Sequence, residues 1–125
     1  MTENEIAKVI VDCAYHIHIK LGPGLLESVY EAVLAHEVRK WGLQVERQVL
    51  IPVMWDGIEL ANGFRADLIV EDKVIIELKS VEKNNPVHNK QLLTYLRLTN
   101  KHLGLLINFG LIRIKDGIER VVNGL

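Results

Sequence analysis

The sequence predicts a mixed α/β fold, a β-sheet flanked by helices, on three observations. Apolar residues recur at helical spacing near the N-terminus and again after residue 85, alternating apolar residues mark strands between about 45 and 80, and Leu103–Phe109 is an almost unbroken apolar run. Such a run fits a strand buried on both faces. The predicted order is α-α-β-β-β-α-β followed by a C-terminal β-hairpin, all within a single domain spanning residues 1–125.

Each element has its own signal. Thr2-Glu3-Asn4-Glu5 reads as a capping box, and Ile6, Ile10, Cys13, Ile17 and Leu21 continue it as an amphipathic helix over 3–20. His16 and His18 lie two apart, on different helix faces, and read as partly exposed side chains rather than a metal pair. Leu21-Gly22-Pro23-Gly24 stops that helix. A second helix is expected from about Leu25 to Trp41, with Leu26, Val29, Tyr30, Val33, Leu34, Val38 and Trp41 as its buried stripe. Glu27 flanks that stripe in the first turn. The helix dipole favours a carboxylate there, so the residue pattern alone leaves Glu27 open between a helix-start charge and a site residue.

Val45 to Trp55 alternates as a long strand, and Pro52 places it at an edge or beside a bulge. Asp56-Gly57 is a two-residue hairpin turn, and Asn62-Gly63 marks a bend in the following strand, Ile58 to Val70. Asn85-Pro86 signals a helix start, with Val87, Gln91, Tyr95 and Leu98 expected along its inner face. Leu111 to Lys115, the turn Asp116-Gly117 and Ile118 to Val122 read as the closing hairpin.

The chemistry gathers in Phe64–Ser80. Two apolar runs flank the charged turn Glu71-Asp72-Lys73. A three-residue loop pairs Val70 with Val74 and brings Asp67 opposite Glu77, with Lys79 two residues further on the same side as Glu77. Ile69 and Ile75 share that face, so it is expected to be covered, and covered carboxylates need a partner or a cation. Two converging carboxylates suit Mg²⁺ or Mn²⁺, and a neighbouring lysine can act on a water or a phosphate.

Composition narrows the classes. Fifteen Lys and Arg against sixteen Asp and Glu give a net charge of −1, which is no electrostatic footprint for nucleic acid. The single cysteine, Cys13, excludes an internal disulfide and a cysteine-rich zinc site, and reads as a small core residue. No apolar run reaches membrane-spanning length and the acidic start is unlike a signal peptide, so a cytoplasmic protein without membrane partners is expected.

Asp67, Glu77-Leu78-Lys79, Gln91 and Tyr95, in that order, resemble the core of the PD-(D/E)XK nuclease superfamily, with its restriction-endonuclease-like sheet. Gly24-Leu25-Leu26-Glu27-Ser28-Val29-Tyr30 looks like the signature of the GxxExxY family, usually placed in that superfamily. Leu105–Gly110 and Lys115-Asp116-Gly117-Ile118 look like that family too. One departure is Ala66, where the motif has Pro before the Asp. The resemblance implies a metal-dependent nuclease acting on DNA, with RNA left open. Asp67, Glu77 and Glu27 would hold Mg²⁺ or Mn²⁺, and Lys79 would act on the attacking water or scissile phosphate. Gln91 would contact substrate, with Tyr95 packed behind it. The alternative is a nuclease-like binding or interaction module that does not cut. A homodimer is compatible with cutting both strands of a duplex, though no residue points to one.

Overall fold

A computed structural model describes residues 1–125, apart from the side chain of Asn62. The elements run α1 (Glu3–Leu21), α2 (Glu27–Lys40), β1 (Val45–Trp55), β2 (Ile58–Val70), β3 (Val74–Lys79), α3 (Pro86–Thr99), β4 (Leu103–Asn108), the short helix α4 (Ile114–Gly117) and β5 (Ile118–Val122). The five strands form one sheet in sequence order, with β3 and β4 parallel and all other neighbours antiparallel. This is the mixed α/β architecture the patterning predicts, and none of its helices is long and apolar enough to cross a membrane.

Two apolar clusters sandwich the sheet. Ile6, Ile10, Ile17, Tyr30, Leu34 and Val38 from α1 and α2 pack on Leu68, Val70, Val74, Ile76 and Leu78. On the other face Leu92 and Leu96 of α3 pack on Ile51, Ala66, Ile69, Ile75 and Leu106. Alternation along β3 therefore sends Ile75 towards α3 and Ile76 towards α1 and α2. Helix α3 approaches β4 closely because residue 104 is glycine: a Cβ there would come within 2.8 Å of Leu92.

The capping box at Thr2 and Glu5 forms as expected, and Asn85 caps α3 through Val87 N–H. The inner face of α3 is rotated from the predicted one. Leu92 and Leu96 are buried, Tyr95 is half-buried and Gln91 is exposed. The C-terminal hairpin expected over 111–122 is corrected. Residues 111–113 form bends, α4 follows, and β5 pairs directly with β4 in the register Leu103↔Val122 to Ile107↔Ile118. Two contacts pull 111–117 out of strand geometry. The Leu111 carbonyl is 2.9 Å from His18 Nε2, and Gly117 lies so close to the Asn108 carbonyl that a Cβ would meet its oxygen at 2.3 Å. His18 is accordingly buried, not partly exposed as its spacing suggested.

The loop between α1 and α2 is tied from below. Tyr30 is fully buried and stacks on Phe109, with ring centroids 4.4 Å apart. Its hydroxyl donates to the Gly22 carbonyl at 2.5 Å and accepts from Leu25 N–H at 3.2 Å. Gly24 has φ +102°, which only glycine adopts without strain. The first and last residues of the Gly24–Tyr30 stretch thus set how the chain enters α2. Tyr30→Phe keeps the ring packing and removes both hydrogen bonds, so urea unfolding is expected to show a loss of about 1–3 kcal/mol at an unchanged m-value. A loss near zero would show that the loop is held by other contacts.

Candidate active site

The site begins where the sheet forks. Strands β2 and β3 pair only over Val70↔Val74, Ile69↔Ile75 and Leu68↔Ile76. This is the register predicted for a loop of Glu71, Asp72 and Lys73, and it brings Asp67 next to Glu77. No ordinary rung forms there. Asp67 N–H donates to Glu77 Oε1 at 3.2 Å, and Leu78 N–H donates to Asp67 Oδ2 at 2.8 Å. Side-chain carboxylates have replaced backbone carbonyls as acceptors, and β2 continues beyond this point with β1 as its partner.

The same rung carries a fault in the alternation. In a regular strand residues two apart share a face. Here Ala66 packs under α3 while Leu68 packs under α1 and α2. Across the ladder, Arg47 reaches Glu31 on α2 whereas Val49 packs with the α3 cluster. Both strands therefore change faces at one place, between the pairs Arg47↔Leu68 and Val49↔Ala66. Gln48, at that place, has φ +52°. The expectation that Asp67 shares a covered face with Ile69 by simple alternation is corrected accordingly. Asp67 instead opens onto a cleft on the α2 side, lined by Glu27, Ser28, Glu31, Gln48 and Leu78.

Burial dominates the electrostatics. It raises the pKa of Glu77 to about 8, with the adjoining Asp67 charge adding to the effect and Lys79 opposing it. Burial also raises Asp67, against the hydrogen bond from Leu78 N–H, and the Glu31 charge raises it further. Tyr95 is raised by burial and then by the charges of Glu77 and Asp67. Burial and mutual repulsion thus favour one proton on the pair at neutral pH, with Glu77 as the carboxyl pushed up to about 8. Lys79 is half-buried and forms no ion pair among the described residues, so its ammonium acts on both carboxyls through space.

The remaining predicted site residues are placed as follows. Glu27 is exposed at the rim of the cleft, one turn before the carboxylate that the fold buries on α2, Glu31. Gln91 is exposed on α3. Tyr95 is half-buried and stacks on Phe64 at a centroid distance of 3.6 Å, closing the α3 side. The crowd of three carboxylates expected around Glu27 is thus Asp67 and Glu77 in direct contact, with Glu31 facing Asp67. Sequence reasoning missed Glu31 and Gln48. Glu31 sits three residues before Leu34 and four before Ala35, on the buried stripe of α2, and that spacing was the available signal.

Among the described residues no three His, Cys, Asp or Glu side chains converge into a metal cage. The donors present, Asp67 opening onto the cleft and Glu77 against it, still fit Mg²⁺ or Mn²⁺. Mg²⁺ commonly takes one or two carboxylates and completes its shell with water and substrate phosphate.

The raised Glu77 pKa has a definite consequence for stability. Its folded value of about 8 exceeds the ordinary 4.5, so the folded protein holds this proton more tightly than the unfolded chain does. The stabilisation is complete below the ordinary value and is lost as pH climbs through the folded one. Thermal melts in EDTA from about pH 5 to about pH 9 are expected to show a falling Tm, with Glu77→Gln flattening the fall. A wild-type Tm that stays level across this window would mean that Glu77 is ionised throughout.

The family model for the PD-(D/E)XK nuclease superfamily matches residues 4–121. No curated protein and no solved structure matches the chain. The match spans both the sheet fork and the helices that enclose it, and on that evidence the chain belongs to the PD-(D/E)XK nuclease superfamily.

Proposed function

We propose that this domain hydrolyses phosphodiester bonds of DNA with the help of a Mg²⁺ or Mn²⁺ ion held by Asp67 and Glu77. The observation that carries the reading is the meeting of these two carboxyl groups at a sheet fork, with Lys79 on the strand of Glu77 and Asp67 opening onto a cleft. A divalent cation at the pair would supply charge to the scissile phosphate and acidify a bound water. The chain's own groups do the rest. Asp67 and Glu77 offer oxygen donors, and Glu77 gives up its proton to do so. Lys79, unpaired among the described residues, would orient the attacking water or meet the phosphate. Glu27 lines the same cleft as Asp67 and would add a third carboxylate to the site. Gln91 and Tyr95 stand on the α3 side as substrate contacts.

At a finer level, Gly24–Tyr30 fits the GxxExxY signature, and the buried free thiol of Cys13 suits a cytoplasmic setting. Net charge favours a second reading. With a balance of −1 the domain lacks a general attraction for phosphate backbones, as a non-cutting interaction module would. Nicking of supercoiled plasmid, with a single-stranded RNA in parallel, separates the two. Wild type with Mn²⁺ or Mg²⁺ is expected to nick, EDTA to stop it, and Lys79→Ala to lower the rate by about a hundredfold or more. A folded wild type that leaves every substrate intact would favour the interaction module.

A further inference from the structure

Beside the proposed cation ligands lies a network that this chemistry leaves without a role. Glu31 is among the few charged side chains the fold buries, at 7% exposure. Arg47 answers its charge, with Nε at 3.1 Å and Nη2 at 3.0 Å from the same oxygen, Oε2. The other oxygen, Oε1, accepts from Gln48 Nε2 at 2.5 Å. The same amide nitrogen lies 3.5 Å from Asp67 Oδ1. The two oxygens of Asp67 are therefore unlike. Oδ2 accepts from Leu78 N–H at 2.8 Å, while the N–H contact to Oδ1, from the Gln48 amide, is stretched.

Gln48 is an exposed residue in a left-handed backbone conformation, φ +52°, that a residue with a side chain avoids unless something holds it. A fastening of α2 to β1 needs only the Arg47–Glu31 pair. The extra amide does something else: it carries the fixed position of Glu31 across to Asp67. We propose that Gln48 and Glu31 are positioning residues for Asp67, holding Oδ1 towards the cleft while leaving it free to be taken by a cation. The long contact can be surrendered without displacing the amide, which stays anchored on Glu31. This rests on the reading of Asp67 as a cation ligand.

The test is Mn²⁺ titration calorimetry paired with the melting temperature of the metal-free protein. Gln48→Gly removes the amide and also relieves the positive φ, so the metal-free Tm is expected to stay level or rise. Mn²⁺ affinity is expected to fall about tenfold or more, the scale on which groups that orient a metal ligand act. Gln48→Asn tolerates the same backbone but is one methylene too short to span Glu31 and Asp67, and should fall alike. Wild-type affinity in both variants would overturn the positioning role and leave the cation reading standing. A wild type that binds no Mn²⁺ would overturn both.

Discussion

Two half-buried carboxyl groups set against each other at one rung of the sheet are the constraint around which this domain is arranged. Asp67 and Glu77 sit where β2 parts from β3, and each accepts a backbone N–H that a regular ladder would have given to a carbonyl. Burial and mutual repulsion make such a pair unfavourable unless a proton or a cation is shared between them. Without a cation the first solution is favoured, with Glu77 raised to about 8 and Asp67 raised as well. A hydrophobic pair at this rung would pack without that cost. The proposed cation site would give the arrangement a chemical use.

Neighbouring features serve the same rung. The face change in both β1 and β2 turns Asp67 out of regular alternation and towards the α2 cleft. Helix α2 is held over that cleft at two points. At its start Tyr30 and Ser80 bind the Gly22–Leu25 loop, and one turn in Glu31 is locked to Arg47. On the opposite face the glycine at 104 lets α3 settle against β4, and Tyr95 stacks on Phe64 beside Glu77. The sheet fork and the start of α2 border the cleft, while the aromatic pair stands on the other face of the sheet.

Much of this was legible in the residues, and the limits have physical reasons. The register around Glu71-Asp72-Lys73 follows from strand period and loop length, so the meeting of Asp67 and Glu77 could be read directly. The face change could not, because a positive φ at Gln48 leaves no mark in composition. Glu31 was overlooked because a charged residue on a helix is ordinarily solvated, and its burial depends on Arg47, sixteen residues away. The inner face of α3 was misjudged because Gln91, Leu92 and Tyr95 lie close together around the helix, and only packing on β4 decides among them. Ile114 and Ile118 suggested strands on either side of a turn. Tertiary contacts from His18 and Asn108 bent the first of these segments into α4.

In the proposed function the Asp67–Glu77 pair exchanges a proton for a divalent cation. Titration calorimetry of Mn²⁺ at neutral pH, repeated in buffers of different ionisation enthalpy, counts the protons released on binding. With Glu77 protonated up to about pH 8, wild type is expected to release close to one proton per ion, and Glu77→Gln close to none. Tight Mn²⁺ binding without proton release, or equal release from Glu77→Gln, would contradict the account.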